Sequence, residues 1–341
     1  MLQMRQAARR KALPSCVATK APTLATTKIK IVAAASDRVH WVARSAQVLA
    51  ARAVVDALLA IGASWIGLAR SFTASAMEIQ SLFVYPVKSL NGVSQTKTHC
   101  FEHGFQHDRN WMLVDAQNNF ITRRECPSVA RIDLQEEAHA FILRSGSEIL
   151  QIHKQFCDSG KTIASKVWQC DVVGLLAEGS AFFSDFLKQP VKLIRMQLPA
   201  RRLQQLPGSS EVTPSSYADS FPILLIGSAS MRALNENTEA PIDERYFRPN
   251  IVLRTQRPFE EDQLRTIEIG GVVLKRAKSC GRCRMINVHP ETGEYRHDVM
   301  RALAGIRSCG KQVLFGQLFY PVRTGEISID AHVTITETAQ A

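Results

Sequence analysis

A chain of 341 residues, 45% hydrophobic and 21% charged, has the makeup of a soluble globular protein and room for two domains. Its net charge of +11 sits at one end: residues 1–76 hold eleven Lys and Arg against only Asp37 and Asp56, a net of +9. A folded body left near neutrality argues against a nucleic-acid-binding surface. Eight cysteines without a disulfide-like spacing, and no apolar secretory stretch near Met1, point to reduced thiols inside the cell.

In chain order, residues 1–40 have the acid-poor, Ala/Lys/Arg/Ser/Thr composition of an organelle-targeting segment. The alternative is a disordered extension, or a start upstream of the one used at Met77. The protein is mitochondrial if residues 1–40 are a targeting segment and cytoplasmic if the functional start is near Met77. Residues 41–69 read as an Ala-rich helix. Its uncharged run ALLAIGASWIGLA is thirteen residues, whereas a membrane span needs about 20. Any membrane association is therefore expected only through residues 41–70. From Met77 the texture changes to short β-branched and aromatic runs broken by turns. NWMLVDAQNNFITRR, FILRSGSEILQIH and TIEIGGVVLKRA read as three hairpins, the last turning on Gly270-Gly271. Phe182, Phe183, Phe186 and Leu187 mark one helix, and a second follows Ser228 as its cap, with Met231 and Leu234 facing inward. The Gly/Pro/Ser-rich stretch ARRLQQLPGSSEVTPSS, residues 200–216, reads as a linker. The expectation is a strand-dominated α+β fold: two packed β-rich, barrel-like units, 77–200 and 217–335, behind the extension 1–76.

The sharpest chemical feature is KSCGRCRMINVHPETGE, with Cys280 and Cys283 three positions apart after a predicted strand. A structural zinc site would need further ligands, and His289, His297 and Cys309 have no standard zinc spacing. A thioredoxin-like pair would open a helix, whereas Pro290 and Thr292-Gly293 signal a turn. Two buried free thiols are the plain alternative.

The run Cys280–Gly293, preceded by FRPNIVL at 247–253 and followed by LFGQLF at 314–319, resembles the MOSC domain of molybdenum cofactor sulfurases. The earlier IQSLFVYPVKSL at 79–90 and HDRNWMLVD at 107–115 resemble the β-barrel domain that precedes it in some members. Together, in order across residues 77 to about 335, they resemble the amidoxime-reducing components and their bacterial relatives. Pyridoxal phosphate binding attaches to that family at large and to no residue here; the stretch before residue 77 has no room for such a domain, so a full sulfurase is not expected.

The resemblance implies a molybdenum cofactor, a pterin dithiolene with a phosphate at its far end. Cys283 would be the catalytic metal ligand, a thiolate suiting a metal with soft ligands. Lys88, Ser89 and Arg109 would face the phosphate, where an arginine fork suits an anion. Asp219, Ser220, Arg248 and Asn250 would frame the pterin, and Arg282 would support the cofactor's charge. Family members often carry a small hydroxyl residue two positions before the metal cysteine; here it is Gly281, which puts one polar contact in doubt. The implied function is a molybdenum-cofactor-dependent reductase of amidoximes, hydroxylamines or N-hydroxylated bases. A non-catalytic cofactor or sulfur carrier shares the same site and stays open. No nucleotide, flavin or ferredoxin fingerprint is visible, so electrons would come from separate partners, a small carrier and its reductase.

Overall fold

The strand Met77–Val84 serves two cores at once, its alternation shifted by an irregularity between Ile79 and Ser81. Leu82 and Val84 point into one, Phe83 and the following Tyr85 into another, as a period of two requires. Its neighbours repeat the pattern: Ile223 and Leu225 against Leu224 and Ile226, Ile251 and Leu253 against Val252. The computed structural model describes residues 77–155, 160–197 and 202–338, all within the compact unit Ala74–Ala341. The expectations for residues 1–76 lie outside the described residues.

These strands belong to a closed seven-stranded barrel. Around it run Ile223–Gly227, Ile251–Arg254, Met77–Val84, His332–Thr338, Leu264–Ile269, Val272–Gly281 and Gln312–Arg323, the last pairing back with the first. Closure is tight where Gly316 crosses Ile223–Gly227: a Cβ there would stand 2.7 Å from the Leu225 carbonyl oxygen, at a φ of 76°. The fold is thus strand-dominated, as expected. Met77–Val84 sits in the barrel between Ile251–Arg254 and His332–Thr338, both distant from it in sequence.

The stretch between the first and later barrel strands forms smaller sheets. Trp111–Val114, Lys192–Met196, Cys170–Leu176 and Thr162–Val167 make one, and Asp133–Glu136, Ala140–Ser145 and Glu148–His153 another. Helix α1, Ser180–Leu187, packs Phe183 into the first core. Helices α2, Ser228–Asn235, and α3, His297–Arg307, bury Met231, Leu234, Val299 and Leu303 in the second.

The second and third predicted hairpins form around Gly146-Ser147 and Gly270-Gly271, both of the latter glycines at positive φ. The first is shorter than expected. Its return arm bridges only at Phe120 and then leaves the sheet, so Arg123 and Arg124 turn inward instead of ending a strand. Ser228 does not cap α2. The Thr255 hydroxyl accepts from the Ala229 N–H (3.0 Å), while the Ser228 hydroxyl accepts from the Thr255 N–H (3.1 Å), a cap supplied by the neighbouring strand's end. The expected linker also holds structure: Leu203–Gln205 pairs with Val212–Pro214.

Candidate functional site

The loop after the first barrel strand is clamped before any ligand arrives. The Tyr85 N–H donates to Asp108 (2.8 Å), the Arg109 N–H to the Tyr85 carbonyl (2.7 Å) and the Lys88 N–H to the Trp111 carbonyl (2.8 Å). Arg123, buried behind it, donates to the Ser89 carbonyl (2.9 Å) and to Asn91 (2.7 Å); burial pushes its pKa down to about 10. These bonds hold Lys88, Ser89 and Arg109 on the wall of one pocket of about 410 Å³.

All nine residues singled out in the sequence line that pocket: Lys88, Ser89, Arg109, Asp219, Ser220, Arg248, Asn250, Arg282 and Cys283. They come from segments up to 195 positions apart. Three of them, Ser89, Arg109 and Arg248, are among the eight described non-glycine residues at positive φ. Such backbone costs on the order of 1–3 kcal/mol per residue and persists only where the surroundings enforce it, often at binding sites.

The floor is cationic. The guanidinium carbons of Arg109 and Arg248 each lie 4.3 Å from the Tyr85 ring centroid. Arg109 pairs with Asp108 at 2.6 Å and donates to Asn250 at 3.0 Å. Arg248 donates to the Leu90 carbonyl, and among the described residues no acid pairs with it. Burial, then the charges of Arg123 and Arg109, push its pKa well down. Arg282 donates to the carbonyls of Phe315 (3.0 Å) and Phe247 (3.3 Å); among the described residues its buried Nη2 has no partner, nor has the buried Ser89 hydroxyl. Among the described residues five lining cations, Lys278 among them, face a single lining acid, Asp219. Asn250 is largely committed to the protein: its Oδ1 accepts from Arg109 and the Leu224 N–H (3.2 Å), and its Nδ2 donates to the Phe83 carbonyl (3.2 Å). It positions Arg109 and ties two barrel strands together.

At the mouth the thiol of Cys283 is exposed and precedes the single 3₁₀ turn Arg284–Asn287. Cys280 is half-buried against the second core, and burial raises its pKa. Among the described residues no three His, Cys, Asp or Glu side chains gather to hold a metal. The His289 Nδ1 accepts from the N–H groups of Glu291 and Thr292 (3.2 Å each). Sequence reasoning missed Arg124. Its Nη1 donates to the Cys283 sulfur at 3.6 Å and to Asp219 at 3.3 Å. Asp219 also accepts from Lys88, which is anchored on the Tyr217 carbonyl at 2.9 Å. Burial pushes the Asp219 carboxyl up, but Lys88 and then Arg124 outweigh it and hold the group well below the usual carboxylate range. Arg202, also missed, donates to the Ser216 and Ala218 carbonyls and fixes the backbone just before Asp219.

A barrel whose rim gathers an exposed thiol and an under-compensated cationic floor is matched at the level of family. The MOSC N-terminal beta barrel domain matches residues 76–190 and the MOSC domain residues 213–334. The chain belongs to the proteins built from that pair of domains. Its relatives are mitochondrial amidoxime-reducing components. Component 1 of Homo sapiens is 29% identical over 325 residues, covering 88% of this chain and 94% of that protein. Component 2 of Rattus norvegicus is 29% identical over 273 residues, covering 74% and 81%. The crystal structure of the YUAD protein from Bacillus subtilis is 10% identical with a TM-score of 0.37, covering 76% of this chain and 94% of that one.

Proposed function

We propose that the protein is a molybdenum-cofactor-dependent oxidoreductase that reduces N-hydroxylated substrates: amidoximes, hydroxylamines or N-hydroxylated bases. One observation carries the reading. A single pocket has a thiol open at its mouth and, deeper in, buried cationic donors with too little negative charge to balance them. Arg248 without an acid, the orphaned Nη2 of Arg282 and the orphaned Ser89 hydroxyl are what a buried anion would satisfy. The residues therefore fit an anionic pterin cofactor. Cys283 would hold its metal as a thiolate, Arg109, Arg248 and Arg282 its charged groups, and Lys88, Ser89 and Ser220 its remaining acceptors and donors.

When bound, the cofactor supplies two-electron redox chemistry. The substrate's N–O bond breaks, two electrons and two protons are taken up, and water leaves beside the amidine or amine. The protein's part is orientation and charge. Asp219 stays ionised between Lys88 and Arg124, which keeps both cations at the mouth. The relatives' names support the reaction class and a mitochondrial setting. The composition of residues 1–40 agrees with that setting, and among the described residues no helix is long and apolar enough to cross a membrane. The electron source would be a separate small carrier with its reductase.

The test is metal analysis of the purified protein followed by dye-driven reduction of benzamidoxime. Stoichiometric molybdenum with turnover is the expected result. Molybdenum without turnover of any N-hydroxylated substrate would make the protein a cofactor carrier, and absence of molybdenum after expression in a cofactor-producing host would overturn the reading.

A further inference from the structure

The hairpin Thr162–Val167/Cys170–Leu176 turns on two residues, Trp168 and Gln169. Such turns favour glycine or asparagine, because they need positive φ. Here the position is filled by tryptophan at a φ of 55°, with 52% of its surface exposed. A large ring held in a costly backbone conformation, yet left half in water, is not explained by burial.

The indole is fixed from two directions. The Arg124 guanidinium lies 4.7 Å from its centroid, and the Phe120 ring 5.8 Å away. The Arg124 side chain is only 8% exposed, so Trp168 helps to roof it. The same guanidinium reaches the Cys283 sulfur at 3.6 Å. An open aromatic surface therefore stands one guanidinium away from the thiol.

We propose that Trp168, held by Arg124, is a ring-stacking wall at the mouth of the pocket and selects planar aromatic N-hydroxylated substrates over aliphatic ones. The inference rests on the reduction reading given above. A flat ring conjugated to the reacting C–N group can cover the open part of the indole while that group points toward Cys283. An aliphatic substrate with the same head group gains nothing there. Aromatic pairs of this kind contribute beyond the area they bury.

Benzamidoxime and acetamidoxime share the reducible group and differ by phenyl against methyl, so the ratio of their KM values isolates the ring. In Trp168→Gly, which gives the turn its favoured residue and protects folding, the benzamidoxime-to-acetamidoxime KM ratio should rise about tenfold, equivalent to about 1.4 kcal/mol. Trp168→Phe should restore it to within about threefold, because a smaller ring still stacks. An unchanged ratio, or equal rises in both KM values, would overturn the wall and leave Trp168 as a cover for Arg124. If the cofactor-loaded wild type reduces neither amidoxime, the reduction reading fails, and calorimetric titration with benzamide decides the wall separately. Binding about tenfold weaker in Trp168→Gly than in wild type supports it; equal binding, or none to either protein, sinks it.

Discussion

The floor and the mouth of the pocket are built by opposite means. The floor is buried, strained and over-determined: Ser89, Arg109 and Arg248 hold positive φ, and Arg109 alone bonds to Asp108, Asn250 and the Arg248 carbonyl (3.1 Å). The mouth is open: Cys283 is exposed, and Arg124 reaches both it and Asp219 through side chains alone. A floor organised in advance can receive a fixed anion with little reordering, since the cost of placing its cations is met during folding. A mouth made of side chains leaves room for something that comes and goes.

Six substitutions test that division, beginning with the greatest change. Cys283→Ser should cut molybdenum retention by at least about 100-fold, since even an outer partner of a metal ligand is worth 10–100-fold. Cys280→Ser should keep most of the metal; equal losses from two folded variants, measured by metal analysis, would refute a single-ligand site. Next, the two floor arginines should behave differently in the cofactor-free protein. Arg109→Ala strands the buried Asp108 and should cost about 3 kcal/mol in denaturant unfolding. Arg248→Met removes a buried charge that has no acid and should leave cofactor-free stability within about 1 kcal/mol of wild type, while still lowering cofactor retention. Similar losses from both would end the distinction between a paired and an unpaired floor cation.

The mouth is tested by acid. The folded pKa of Asp219 is depressed, so its contribution to stability is full above the unfolded carboxylate value, about 4, and fades as pH falls through the folded value. Asp219→Asn should flatten the fall of melting temperature below pH 4. The slope change should be modest, because the Asp219 side chain keeps 40% of its surface open and water screens the pair. An unaltered slope would remove Asp219 from the linkage. The least effect belongs to Gly281→Ser. An added Cβ meets the Gln312 side chain at an ordinary 3.7 Å, so stability should stay within about 0.5 kcal/mol. A larger loss would show that the mouth is packed more tightly than it looks.

Much of this was legible in the sequence because it rests on local pattern. Gly270-Gly271 announces its turn, and the change of texture at Met77 announces where the strands begin. The resemblance brought together nine residues that the fold does gather in one pocket, though it could not tell which were free to meet a ligand. Asn250, expected against the pterin, is largely occupied with Arg109, Phe83 and Leu224. What stayed hidden depends on contacts between distant segments. Thr255 caps α2 across 26 positions, and Arg124 reaches Cys283 across 159. Helix α3 was missed for a different reason: it buries only Val299 and Leu303 as apolar side chains, too narrow a stripe to stand out as periodic.

The barrel's first strand has a further consequence for how the chain is made. Met77 pairs with Val333, and Glu78 with His332. At about 5–20 residues per second, a ribosome needs on the order of 10–50 s to produce the later partner after the earlier one has emerged. Through that interval Val93–Gln95 can pair with Leu82–Val84, but the Met77–Glu78 end of that edge has no partner and the barrel cannot close. The strand that leads into Lys88 and Ser89 is thus the first of the barrel strands to be made, and its far end is closed only by the last.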